Sequence, residues 1–233
     1  MNPLGGIMRR SNLSIRTGMA ALLLAGVCLC GSLPSGYKGK PFKNEQHRSG
    51  PQVIPGTIQC ALYDLGGESV AYHDTDVVNK GSGELNHKAN HCRPGTPEYV
   101  CYFREKEGVD ISYTKDFADF NHPNLVTPEK DQLYIGWEAD GEWVNYTVRV
   151  SKAGTYSINA MYGNAANTLT FSVNNRPAGE CRLPVDTGSM HKWNRAIDCG
   201  TITFPQAGLQ LLTLHYNTGN NLAYFEFLPV EKK

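Results

Sequence analysis

The residues best placed to do chemistry in this chain lie in Leu133–Val150, LYIGWEADGEWVNYTVRV, a strand, an acidic glycine turn and a second strand. Trp137 stands where the first strand gives way to the turn. A flat apolar ring at the lip of a loop is poorly placed to fill a core and well placed to stack on the C–H face of a ligand. Asn221, in the TGNNL turn before the last apolar run, carries a carboxamide that both donates and accepts hydrogen bonds, and Asn220 is the alternative at that turn. His73 and Asp74 in AYHDTD, with Tyr72 and Asp76, form a further polar group that suits a ligand, a cation or a hydrogen-bonded turn. Glu138, Asp140 and Glu142 cluster around the glycine turn, and paired carboxylates are the apparatus of glycosidases. Nothing supplies a second catalytic wall, and G-x-S-x-G, H-E-x-x-H and P-loop signatures are absent, so the chain is read as a binding module and not an enzyme.

The elements that must position these groups read as strands. From Leu133 onward β-type runs arrive at short intervals with turn residues between them. Val144, Tyr146, Val148 and Val150 alternate with Asn145, Thr147 and Arg149. Tyr156, Ile158, Ala160 and Tyr162 repeat the pattern, as do Leu169, Phe171 and Val173. Alternation buries one face of a strand and wets the other. The expected fold class is all-β, an antiparallel β-sandwich in a single domain. A first strand is expected over Gly56–Asp64, followed by a long polar loop region up to Leu133. Trp143, inside its strand, is assigned to the core, and Arg104 and Asp110 either pair to order the inserted loop or reach the ligand.

The composition agrees. Among 233 residues, 22 basic and 22 acidic side chains cancel, which argues against nucleic acid as a partner. Gly (24) and Tyr (12) are plentiful, as turn-rich β-structure requires. Arg9, Arg10 and Arg16 precede an apolar run, Met19–Leu29, that is too short to span a bilayer and the right length for a secretory leader. Residues 1–31 are therefore read as a signal peptide, 32–51 as a flexible linker and 52–233 as the folded domain, with no transmembrane segment in the mature chain. Export is the expected localisation: secreted, periplasmic or cell-surface. A lipid anchor is disfavoured because Val27 and Leu29 before Cys28 and Cys30 are bulky. Of the remaining cysteines, Cys92 and Cys101 bracket a Pro/Gly turn, and Cys181 and Cys199 flank a long loop between strands. Both pairs suit disulfides in an oxidising compartment, which leaves Cys60 as a buried thiol. No paired zinc-ligand spacing occurs.

The ordered set IPGTIQCALYDLGGESVAYHDTD, EGVDIS, IGWEADGEWVNYTV, AGTYSINAMY, DTGSMHKWN and NNLAYFEF resembles family 6 carbohydrate-binding modules and the related family 35-like modules of secreted bacterial proteins. The resemblance covers Val53–Val230. It implies a galactose-binding-domain-like jelly roll that captures poly- or oligosaccharide without cleaving it, as a monomer. By the same resemblance Trp137 is one wall of the glycan slot and Asn221 its hydrogen-bonding amide. The opposite wall falls on Met190, where the family places a ring, with His191 on the rim and Trp193 as a packing residue. The family's structural calcium uses carboxylates at positions that here hold Gln59, Ala61 and Ala223, so that site is expected to be lost. The competing reading is a protein-interaction or adhesion module on the same fold, with a decayed sugar site.

Overall fold

The computed structural model describes Met1 and residues 31–48, 50–88, 91–115 and 119–230. Nearly all of the leader assigned to residues 1–31 lies outside these.

The β-type runs expected from Leu133 onward are strands: β5 (Leu133–Ile135), β6 (Trp143–Val150), β7 (Gly154–Asn164), β8 (Asn167–Val173), β9 (Arg176–Leu183), β10 (Trp193–Phe204), β11 (Gly208–His215) and β12 (Asn220–Pro229). Upstream stand β1 (Gln52–Ile54), β2 (Gly56–Gln59), β3 (Tyr72–His73) and β4 (Ile111–Tyr113). The strand expected over Gly56–Asp64 ends at Gln59 and gives way to a 3-10 turn, Cys60–Leu62. Among its described residues the loop-rich region holds only short elements, including one helical turn, α1 (Glu98–Cys101).

The strands hydrogen-bond in the order β1-β6-β11-β8-β9-β10-β7-β12-β5-β4, with β2 added to β12 and β3 to β6. This curled sheet closes on itself as a sandwich. Phe171 of β8 meets Phe225 and Phe227 of β12 edge-on at 5.1 and 5.9 Å, and Phe204 of β10 meets Phe227 at 6.1 Å. Aromatic edges packed onto faces in this way fill the space between the layers. The alternating sets of β6, β7 and β8 named above all point into this core.

Three expectations are corrected. Residues 32–51 are not a free tether along their described length. Lys40 bridges Leu65, Tyr37 donates to Asp64 Oδ2 at 2.7 Å, and the Phe42 ring lies 5.3 Å from Phe103. This segment and residues 63–71 cover the outer face of β6, so Asn145 and Thr147 are buried although their parity is outward. Thr147 is satisfied there by Asp64, and the Asn145 amide donates to Val70. Second, Trp143 is not in the core. It shares the parity of Asn145 and lies half-buried on the outer sheet surface beside Thr213 and His215. Third, Arg104 pairs with Glu107 at 2.8 Å and stacks on Tyr63, while Asp110 accepts the Lys80 backbone N–H.

Both expected disulfides are formed, Cys92–Cys101 and Cys181–Cys199. The second joins β9 to β10 at the point where Cys181 pairs with Gly200. Cys60 is a free, fully buried thiol. Among the described residues no helix is long and apolar enough to cross a membrane.

Candidate functional site

The site is assembled where β5, β7 and β12 end on one loop face. β5 pairs with β12 through Ile135 and Leu222, and its next residue, Gly136, donates its N–H to Asp110 O at 3.0 Å. Trp137 follows with φ of 51°, a left-handed conformation that a bulky residue rarely adopts. The ring is 39% exposed. Strain of this kind persists only where the surroundings enforce it. Here Ala139 N–H bonds Glu142 Oε2 at 2.8 Å, Asp140 Oδ1 accepts Thr218 N–H at 2.9 Å, and Glu142 Oε1 accepts both Thr75 N–H and its hydroxyl.

The loop that the resemblance assigns to the opposite wall is Asp186–Lys192. Thr187 Oγ1 accepts from Asn164 N–H at 2.8 Å and donates to Ser189 O at 3.1 Å. Buried Asp119 takes the Trp193 indole N–H at 2.8 Å and the His191 ring at 3.1 Å. Met190, at the tip, is 36% exposed.

Asn221 joins the two walls. On β12 it lies opposite Gly163 of β7. Its Nδ2 donates to Met190 O at 2.8 Å. Its Oδ1 lies so close to Gly136 that a Cβ there would sit 2.4 Å away, and a Cβ on Gly163 would sit 2.5 Å from Met190 O. Both glycines are therefore required by close approach. Asn221 Oδ1 accepts no hydrogen bond from the described protein atoms and remains available as an acceptor.

The other sequence-selected residues divide. Asn220 is fully buried and spent on structure: it donates to Gly163 O and Ala165 O and accepts from Asn167. It is not a ligand group. His191 lines the rim of the Met190 loop with its Nδ1 held by Asp119. His73 lies away from the slot. Its ring is 6.4 Å from Trp143 on the sheet surface and its Nδ1 is 2.7 Å from Glu68. Asp74 flanks the tryptophan turn, and burial, with Glu142 and Asp76 adding like charge, pushes its carboxyl up to about 7. Asp110 below Gly136 is likewise pushed up to about 7, first by burial.

The three turn carboxylates do not make a catalytic pair. Glu138 is buried and neither oxygen has a hydrogen-bond partner. Burial drives its carboxyl well above the ordinary range and Glu142 adds to this; the Asn220 backbone N–H opposes it from outside hydrogen-bond geometry. Glu142 is committed to Thr75 and Ala139. Asp140 is fully exposed and held below the usual range by Thr218. Their environments point three ways, and only Asp140 meets solvent freely.

The positions that the resemblance assigns to calcium do not fit a hard cation. Gln59 Oε1 accepts from Gln132 Nε2 at 2.9 Å, and Ala61 and Ala223 offer no side-chain oxygen. No cluster of three or more metal-ligating side chains occurs among the described residues.

Sequence reasoning misses Asp119, which anchors the Met190 loop from 72 residues away, because a lone acid in a loop carries no signal. It also misses the seal over Glu138. For Trp143 a signal does exist, since its parity matches Asn145 and not Val144.

The model of the family described as "Carbohydrate binding module (family 6)" matches residues 104–229, more than half of the chain. A search of curated proteins finds no significant match. Among solved structures, the chain is similar to a CBM6 from Clostridium stercorarium in complex with cellobiose, at 12% identity, covering 78% of this chain and 99% of that one with a TM-score of 0.48. It is also similar to a β-1,3-glucan-binding CBM6 from Bacillus halodurans, at 15% identity, 77% and 99% coverage and a TM-score of 0.45. A family 35 module from Clostridium thermocellum aligns at 20% identity over 47% of this chain and 86% of that one, with a TM-score of 0.35.

Proposed function

This chain belongs to family 6 of the carbohydrate-binding modules, and from that premise we propose that it is an exported, non-catalytic, monomeric module that captures poly- or oligosaccharide in a slot between Trp137 and Met190. The observation that carries this is the placement of Asn221. Its amide is fixed to the Met190 carbonyl on one side and against the tryptophan turn on the other, with Oδ1 left free at the slot floor. The Trp137 ring buries the C–H face of a pyranose, and Asn221 Oδ1 accepts from a hydroxyl on its rim. Met190 covers the opposite side with a polarizable, adaptable chain and no flat face. Glu138 has no access to a glycosidic oxygen, which supports binding without cleavage.

A second reading, a protein-interaction or adhesion module with a decayed sugar site, is favoured by Met190 and by the replaced calcium carboxylates at Gln59, Ala61 and Ala223. Affinity gels against xylan, β-glucan, pectin and host glycans separate the two. Wild type is expected to be retarded by at least one polysaccharide and Trp137→Ala to lose most of that retardation. Equal mobility of the two proteins on every gel sinks the slot assignment. With calcium carboxylates replaced at Gln59, Ala61 and Ala223, a chelator is expected to leave the melting temperature unmoved.

A further inference from the structure

A second concavity lies at the other end of β5, between its start, the 3-10 turn after β2 and the disulfide-closed segment that carries α1. It has a volume of about 360 Å³, with Gln59, Leu62, Pro97, Tyr99, Gln132 and Leu133 among its lining residues. That volume is in the range used by small-ligand sites. Gln59, Leu62, Pro97 and Tyr99 all precede residue 104, where the match to the family model begins, and Gln59 itself stands at one of the positions that the resemblance assigns to calcium.

Its chemistry is specific. Gln132 Nε2 donates to Gln59 Oε1 at 2.9 Å and to Leu133 O at 2.9 Å. Both amides are thereby oriented. Gln59 Nε2 and Gln132 Oε1 have no hydrogen-bond partner among the described residues, which leaves one donor and one acceptor on this hydrogen-bonded pair. Adjacent hydroxyls of a sugar offer the complementary acceptor and donor. Tyr99, 45% exposed, supplies an aromatic ring beside them. It sits on α1, whose last residue, Cys101, is bonded to Cys92, so the ring is carried on a covalently closed loop. The charges at the rim balance. Arg93 holds Asp131 at 2.6 Å, and exposed Glu129 and Lys130 are of opposite sign. A neutral ligand is favoured over an ion.

We propose that this groove is a second carbohydrate subsite, which takes a neutral pyranose through stacking on Tyr99 and a vicinal-diol contact to the Gln59–Gln132 amide pair. It uses none of the residues of the Trp137 slot.

The test measures binding of cellohexaose, laminarihexaose and xylohexaose by titration calorimetry, with circular dichroism melts to confirm that each variant folds. Trp137→Ala is expected to keep measurable binding to at least one of the three. Adding Tyr99→Ala, or separately Gln132→Leu, to that background is expected to weaken this residual binding about tenfold, the equivalent of one lost contact of ~1.4 kcal/mol. In labelled wild type, the side-chain amide signals of Gln59 and Gln132 are expected to shift on titration. The proposal is overturned if Trp137→Ala alone removes all binding, or if Tyr99→Ala and Gln132→Leu change nothing in either background. Loss on Tyr99→Ala with no effect of Trp137→Ala would sink the slot assignment and leave the groove standing.

Discussion

The two walls of the proposed Trp137–Met190 slot are held by opposite means. The methionine loop is fully satisfied: Thr187, Ser189, Asp119 and Asn221 close its polar groups with ordinary hydrogen bonds. The tryptophan turn is pinned at Asp110, Thr75 and Thr218, yet it buries a carboxylate with no partner and holds a tryptophan in left-handed backbone. Buried polar groups are normally paired, and an unpaired one costs stability. The ring wall is thus presented at an energetic cost, while the methionine wall is presented at a minimum. Natural sites carry such costs where geometry at the surface matters more than stability beneath it.

Four perturbations probe this asymmetry between the walls. The largest effect is expected on the satisfied wall. Asp119→Ala strands the Trp193 indole N–H and frees His191, and it should destabilise the fold by about 3 kcal/mol in chemical denaturation, since each orphaned buried group costs roughly 1–3 kcal/mol. A change under ~0.5 kcal/mol would show that the loop does not depend on this anchor. Next, Asn221→Ala unties both walls and should weaken glycan binding by about tenfold or more at unchanged fold, read by calorimetry and circular dichroism together.

Third, Glu138→Gln replaces a buried carboxyl that burial drives toward its protonated form with an amide that cannot titrate, so its stability relative to wild type should improve as pH rises. The sign follows from linkage. The folded-state carboxyls of Glu138, Asp74 and Asp110 are all raised above their unfolded values, the last two to about 7. Above the unfolded values near ~4 the native state holds more protons than the unfolded chain, so stability falls as pH rises toward 7. Melting temperature should be higher at pH 5 than at pH 8, and Glu138→Gln should flatten that slope. A wild-type slope of opposite sign would show that the turn carries no such cost. The smallest effect is expected at the tip: Met190→Trp supplies the missing flat face and should tighten binding several-fold, about 1 kcal/mol or less, with stability unchanged because the side chain is already exposed.

Much of this architecture is legible in the residues alone. Period-two alternation marks the inward sets of β6, β7 and β8, because each strand of a sandwich must bury one face and solvate the other. The cysteine spacing anticipates both bridges. The limits are equally physical. The face of β6 expected to be wet is covered by Tyr37 and residues 63–71, a long-range packing event with no local pattern. Asn220 and Asn221 are the same residue type one position apart. Only the pleat, which turns alternate side chains to opposite faces, sends one amide inward to β7 and the other to the slot.

Periodicity and residue type are enough to set the class of the fold, the succession of the main strands along the chain and the ring at the turn, because each is written in a local run of the chain. Folding in three dimensions selects which asparagine faces the slot, seals Glu138 without a partner and brings Gln59 to Gln132 beside Tyr99. Each of these depends on contacts between segments tens of residues apart, and such contacts are set by how the layers close, not by any local run of residues.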